Sequence, residues 1–398
     1  MDLISPMVRR LVREAADDTD RFWDQEASRL AWFRRWDKVL DWTPPTFRWF
    51  VGAETNLAWN CLDRHVQGGR SGHTALIAID EHGDRRALTY GQLLSEVERV
   101  AAGLRALGVG KGDTVTVYMP TSAEAIVLML ATVRIGAVHS VVFAGFGAGA
   151  LAERVRLAGS RVIFIGDMTW RKGTTIDLKT IADQALDALA AGGVRVRHCV
   201  VLRRIDCVPM TAGRDLSWDE FVAAGEQSPA DGGHAVMGAN DPAFILATSG
   251  TTSTPKLAVH VHGGYQVGVH AAGRWTMGLS PDDVWWATSD IGWIVGHSYM
   301  VYAPLLAGAT TLRPVRRHAR DVRGRGVEPP GVGMAPAQGV RRPGPGHRSH
   351  VADRDRWPGR RKPLRDIAAS HQAGLSRHRP AWLESRHRRR RRQPRGHR

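Results

Sequence analysis

Apolar and polar residues alternate along this chain with two different periods, and the switching between them lays out a succession of strands and helices. Leu93, Leu94, Val97, Ala101, Leu104 and Leu107 recur at helical spacing, Thr89 and Gln92 stand ahead of them as a capping box, and Gly108 and Gly110 end the segment. Residues 114–118 then read as a strand. Thr121 and Glu124 offer a second capping box for a helix over residues 125–135, followed by a strand at 138–143 and a glycine-rich turn at 145–149. The pattern continues with a strand at 161–165, a helix at 176–190 and a strand at 200–202, then a polar loop at 227–240 and a strand at 243–247. Beyond these come a helix at 265–277, a strand at 284–288 and a helix at 297–306. Strands and helices joined by tight connections predict right-handed crossovers, and hence an α/β fold with mainly parallel sheets.

Charge divides the chain unevenly. Residues 313–398 carry 24 Arg and one Lys against six acidic residues, a net +19, whereas residues 1–312 carry 30 basic and 33 acidic residues, a net −3. The basic segment also holds 10 of the 20 prolines and shows no sustained apolar periodicity, so it is expected to form no compact domain. The expected division is an N-terminal region over 1–88, a core over 89–312 and an Arg/Pro/Gly-rich, disordered tail over 313–398. Cys61, Cys199 and Cys207 lack metal-ligand spacing and read as small core hydrophobes. With no signal peptide and no membrane-length apolar run, the expected setting is the reducing cytoplasm, away from membranes.

Candidate chemistry concentrates at residues 248–256, Thr-Ser-Gly-Thr-Thr-Ser-Thr-Pro-Lys, directly after the strand at 243–247. Thr248, Ser249, Thr251 and Thr252 supply hydroxyls, Gly250 admits close backbone approach, and Lys256 adds a point charge, which together suit a polyphosphate. Read from the residues alone, a solvated Ser/Thr turn explains the same stretch.

Three further blocks carry a resemblance. Asn56-Leu-Ala-Trp-Asn60-Cys-Leu-Asp63-Arg64-His65, then Tyr118-Met-Pro120 through Arg134-Ile-Gly-Ala-Val-His-Ser140 to Phe143-Ala-Gly-Phe146, and Ser289-Asp290-Ile-Gly292-Trp293-Ile-Val-Gly296-His297-Ser298-Tyr299 occur in family order over residues 22–312. With the 248–256 loop, they resemble the acetyl-CoA synthetase branch of the adenylate-forming superfamily. The resemblance implies a cap over 1–88, an incomplete adenylation domain over 89–312, and use of ATP, Mg²⁺ and CoA. It also implies a two-step ligase reaction: a short carboxylate such as acetate or propionate forms an acyl-adenylate with release of pyrophosphate, and the CoA thiol then displaces AMP. By motif position, Thr248, Ser249, Gly250, Thr251, Thr252 and Lys256 hold ATP phosphates, Trp293, Ile294 and Val295 line the acyl pocket, and Gly145 and Arg171 contact CoA. Trp293 also fits an ordinary half-buried aromatic, and Arg171 a solvated surface charge. His297 lacks an evident acid partner and reads as a structural hydrogen-bonding group.

The chain departs from the family in four places. Ser253 and Leu257 stand where glycine is usual, Thr254 where lysine is common, and Thr174 where a second CoA-side arginine is expected. If those glycine positions need positive φ, side chains there strain the loop by about 1 kcal/mol or more. The fourth departure is larger: after Thr311 the expected magnesium-binding glutamate, ribose-binding aspartate and adenylation lysine do not appear. No residue is therefore assigned as catalytic or as a metal ligand, and turnover is expected to be lost, as after a frameshift near codons 311–315. Two other readings stand beside a disabled synthetase: a non-catalytic nucleotide or CoA binder, and non-specific, salt-sensitive nucleic-acid binding through the Arg388–Arg392 run.

Overall fold

A computed structural model of the protein describes residues 5–80, 83–171, 174–205, 208–229, 231–248 and 255–314. Its largest sheet has seven strands, in the spatial order Asp215–Ser217, His198–Leu202, Val162–Gly166, Thr114–Tyr118, Val138–Val141, Pro242–Thr248 and Lys256–Val261. All neighbours run parallel except the last pair, which is antiparallel. The inner strands Thr114–Tyr118, Val138–Val141 and Val162–Gly166 are buried along their whole length, the Thr116, His139 and Ser140 side chains included. Covering them, the helix Ala123–Arg134 is buried at every position but Glu124 and packs against the helix Tyr90–Ala106.

Local chemistry accounts for the helix starts. Thr89 and Gln92 form the expected capping box of Tyr90–Ala106, and Ser217 with Glu220 forms another at Trp218–Glu226. At the next helix the expectation is corrected: Ser122, not Thr121, is the N-cap, its hydroxyl accepting from the Ala125 amide, while Thr121 Oγ1 donates to Asp290 instead. The helix Ala148–Ala158, flanked by Gly147 and Gly159, fills what read as a turn and loop.

A second sheet orders Val284–Trp286, Thr310–Pro314, Thr74–Ile79 and Arg85–Thr89, so strands from before residue 90 pair with strands from beyond residue 280. The N-terminal region is tied to the core by buried polar groups. Asn56 caps the helix Leu57–Cys61 through Oδ1 and donates through Nδ2 to the Arg134 and Ala235 carbonyls, both at 2.9 Å. Arg134, 2 % exposed, pairs with Asp63 at 2.7 Å and Glu98 at 2.8 Å and donates to the Gly232 carbonyl. Removing one member of such a buried pair typically costs about 3–5 kcal/mol, because the other charge is left without compensation.

Cys61 and Cys199 are fully buried free thiols, and burial pushes the Cys199 thiol up to about 12, so both pack as apolar groups; Cys207 lies outside the described residues. Among the described residues no helix is long and apolar enough to cross a membrane. The basic segment from residue 315 onward also lies outside the described residues.

Candidate active site at the carboxyl edge of the seven-stranded sheet

Because Thr114–Tyr118, Val138–Val141 and Pro242–Thr248 run parallel side by side, the segments leaving their carboxyl ends emerge at one edge of the sheet. Open α/β sheets bind ligands at such edges. The residues that leave these three ends are Pro120 and Thr121, the Phe143–Phe146 turn, and the 249–255 connection.

The last of these is framed rather than described. Thr248 and Lys256 face each other across the antiparallel ladder, with the Thr248 hydroxyl donating to the Lys256 carbonyl at 3.3 Å, so they form the two feet of the connection. Lys256 is exposed at its foot and belongs to the strand Lys256–Val261, which sequence periodicity did not anticipate. Ser249, Gly250, Thr251, Thr252, Ser253 and Thr254 lie outside the described residues. Leu257 pairs with Ala247 in the ladder, and Phe50 is the one non-glycine residue with positive φ among those described. The strain expected from Leu257 is therefore absent, because this position is ordinary strand.

Gly145 is exposed in a turn closed by the Phe146 amide donating to the Phe143 carbonyl at 3.0 Å. Tyr118 steadies the same turn, its hydroxyl donating to the Phe146 carbonyl at 2.6 Å, and burial pushes that phenol up to about 12. Trp293 comes to this turn from about 150 residues away in the sequence, its ring 5.7 Å from Phe143 and 6.5 Å from Phe146. Across the turn, the Arg154 guanidinium lies 4.5 Å from the Phe146 centroid. Trp293, Ile294 and Val295 are 51 %, 42 % and 48 % exposed, an apolar triplet on the surface that packing alone leaves uncovered.

What sets Trp293 there is the chain around it. The Asp290 carboxylate accepts from the Gly292 amide at 2.8 Å and from Thr121 Oγ1 at 3.1 Å, and the Ile291 amide donates back to that hydroxyl. Glycine is required twice: a Cβ on Gly292 would meet Phe143 at 2.8 Å, and one on Gly296 would meet the Asp290 carbonyl at 2.0 Å. From Gly296 to Tyr302 the backbone winds as a π-helix before Ala303–Ala307 resumes α geometry, where sequence periodicity suggested one continuous helix. Such irregular turns are costly and recur at functional sites. The Thr121–Asp290 link and the Phe143–Phe146–Trp293 group were not legible in the sequence, since each joins residues far apart in the chain.

His297 is fully buried and holds the Trp293 carbonyl, as its structural reading anticipated; its ring lies on Phe244 at 4.8 Å and on His139 at 5.2 Å. Burial lowers its pKa to about 3, so the imidazole is neutral. The candidate CoA residue Arg171 stands apart from these groups, opposite Thr174 in the hairpin of Met168–Arg171 and Thr174–Asp177. Among the described residues no group of three or more His, Cys, Asp or Glu is placed to hold a metal ion.

The family model described as AMP-binding enzyme matches residues 62–326, and that described as acetyl-coenzyme A synthetase N-terminus matches residues 8–61. The acetyl-coenzyme A synthetase of Deinococcus radiodurans is 44 % identical over 307 residues, 76 % of this chain and 46 % of that protein. That of Rubrobacter xylanophilus is 45 % identical over 302 residues, covering 75 % of this chain and 46 % of the relative. A 3-hydroxypropionyl-coenzyme A synthetase of Metallosphaera sedula is 43 % identical over 305 residues, with 76 % and 45 % coverage. The chain thus spans just under half the length of the curated relatives it matches. With two-thirds of its length inside the AMP-binding model and an acetyl-coenzyme A synthetase N-terminus ahead of it, the chain belongs to the AMP-binding enzyme family.

Proposed function

We propose that the described part of this chain is the phosphate and acyl half of a short-chain acyl-CoA synthetase site, and that the 398-residue chain binds substrate groups without completing turnover. One observation supports the reading above the others. The Gly145 turn with the Trp293 ring packed on it, and the feet of the 248–256 segment, lie at one edge of a mainly parallel sheet, where the strands Val138–Val141 and Pro242–Thr248 end. In this reading residues 89–312 carry the adenylation half-site, and residues 1–88 cap it and contribute two strands to its second sheet.

Activating a carboxylate with ATP requires that negative charge be held in place while the carboxylate oxygen approaches the α-phosphorus. Thr248, Ser249, Gly250, Thr251, Thr252 and Lys256 serve as the donors for the outer phosphates, with Lys256 as the positive point charge at the loop's foot. Trp293, Ile294 and Val295 serve as the apolar wall for the acyl chain, and their exposure suits a surface that a ligand covers. Gly145 and Arg171 serve the CoA side, where an arginine fork matches a phosphate. Acetate and propionate are the favoured acids, and the cytoplasm is the favoured setting.

The proposed lack of turnover concerns these 398 residues alone and is supported by residues 313–398, in which the magnesium, ribose and lysine motifs expected after Thr311 do not occur. Each such transition-state contact is typically worth a few kcal/mol, so losing three together leaves a rate too low to register. The test is to incubate the purified chain with ATP, acetate or propionate, and CoA, and to follow AMP release alongside calorimetric titration. Heat of binding without AMP is the expected result. Sustained AMP production would contradict the loss of turnover, and absence of binding by a folded protein would contradict the half-site.

A further inference from the structure

We infer that His297 is a positioning residue for the acyl wall: its imidazole, protonated at Nδ1, fixes the Trp293 carbonyl and thereby the direction in which Trp293 faces the acyl group. The inference rests on the acyl-pocket reading of Trp293 for its functional meaning, and on His297 geometry for its physical basis.

The Trp293 carbonyl receives two contacts from one residue, the His297 amide at 3.1 Å and Nδ1 at 3.2 Å. A carbonyl oxygen only accepts, so Nδ1 carries the proton. Nε2 is then a bare acceptor, buried and without a hydrogen-bond partner among the described residues. The opposite tautomer is worse on both sides, because it buries an N–H with no acceptor among the described residues and turns the Nδ1 lone pair against the carbonyl oxygen. Buried polar atoms without partners are rare and call for an explanation. Packing does not supply one, since an apolar side chain of similar volume would fill the same space between Phe244 and His139 and leave nothing unpaired. The gain specific to histidine is the bond to Trp293.

That bond also links two parts of the site. The imidazole rests on Phe244, in the strand Pro242–Thr248 that leads into the candidate phosphate loop, and on His139 in the neighbouring strand Val138–Val141. His139 is itself held through Nε2 and the Tyr302 hydroxyl at 2.8 Å. Trp293 is thus referenced to the sheet at its carbonyl through His297 and at its ring by Phe143 and Phe146. A wall held at two points keeps a pocket of fixed depth, and one methylene in an apolar pocket is worth roughly ten- to 200-fold in discrimination.

Two measurements on the full chain test this. In the unmodified protein, ¹⁵N spectra of the histidine rings, assigned through His297→Asn, should show His297 as the Nδ1–H tautomer; an Nε2–H ring or an imidazolium would overturn the inference without any variant having to fold differently. In 5-fluorotryptophan-labelled protein, the Trp293 line, assigned by its loss in Trp293→Phe, should move or broaden in His297→Leu. It should stay in place in His297→Asn, whose amide nitrogen can replace Nδ1. An unmoved line in a folded His297→Leu protein would also overturn it. Adding ATP with acetate, propionate or butyrate separates the two claims. A Trp293 line that ignores every carboxylate removes the acyl-pocket reading and leaves the His297 hold intact, whereas a line that responds in the unmodified protein and identically in His297→Leu removes the positioning role.

Discussion

Two aromatic groups lie on either side of the segment from Asp290 to Tyr302, and they differ in how much water they meet. The inner group, His139, Phe244, His297 and Tyr302 with Tyr265, is buried, its rings stacked or edge-on at 4.8–6.4 Å. The outer group, Phe143, Phe146 and Trp293, has similar spacings of 5.6–6.5 Å, yet Trp293 is half exposed and an arginine lies over Phe146. Residues four apart in one segment, Trp293 and His297, supply a ring to each. Similar contacts thus have different settings: where the rings are sealed from water the contact adds to the buried core, and where Trp293 is left open it holds an exposed apolar surface in place.

Acid should separate the two groups most strongly. Burial lowers the pKa of His297 to about 3 and that of His139 well below the ordinary histidine value, and the outer group contains no titratable ring. For a histidine depressed in the folded state, the unfolded chain binds more protons between the two pKa values. The stabilisation is therefore complete above about pH 6.5 and is lost as pH falls toward 3, at up to about 1.4 kcal/mol per pH unit for each such group. His262 and His65, lowered to about 4, and His270, lowered to about 3, act in the same direction. Urea titrations from pH 7 to pH 4 should show a steep fall in midpoint, and a flat profile would mean that these rings are not buried as described.

Truncation should divide the groups next. Phe244→Ala removes a fully buried ring and is expected to cost about 3–5 kcal/mol in urea unfolding. Trp293→Ala, at a half-exposed position, should cost less than about 1 kcal/mol while abolishing any response of the site to propionate in calorimetry. Equal losses of stability would erase the distinction between inner and outer groups. The smallest effect is expected at Arg154→Gln, about 0.5–1 kcal/mol for the contact over Phe146, read as a shift in thermal midpoint.

How much of this could be read from the sequence depended on whether the cause was local. Thr114–Tyr118 was legible to the residue because β-branched and aromatic residues fill it between the Gly112–Asp113 and Pro120 turn signals, and the Thr89–Gln92 box because both partners lie within one turn. Ser122 displaced Thr121 as a cap because Thr121 is drawn to Asp290, a partner 169 residues away that no local pattern contains. Lys256–Val261 was hidden because its first residue completes a phosphate-loop motif, and antiparallel pairing with Pro242–Thr248 reuses residues that motif reading had assigned to a loop. Ala148–Ala158 was hidden because Gly147 and Gly149 signal a turn, although only Gly147, as N-cap, lies outside the helix. At the site, the motif order named Trp293 and Gly145, but their meeting through Phe143 and Phe146 needed the fold.

Hydrogen–deuterium exchange of the full chain, with and without ATP plus propionate, tests most directly whether one site joins these parts. Peptides covering Pro242–Val261 and those covering Asp290–Tyr302 should gain protection together on adding both ligands, with the Phe143–Phe146 turn following. Protection confined to other surfaces, or none at ligand concentrations that leave the protein folded, would contradict a shared phosphate and acyl site at this edge of the sheet.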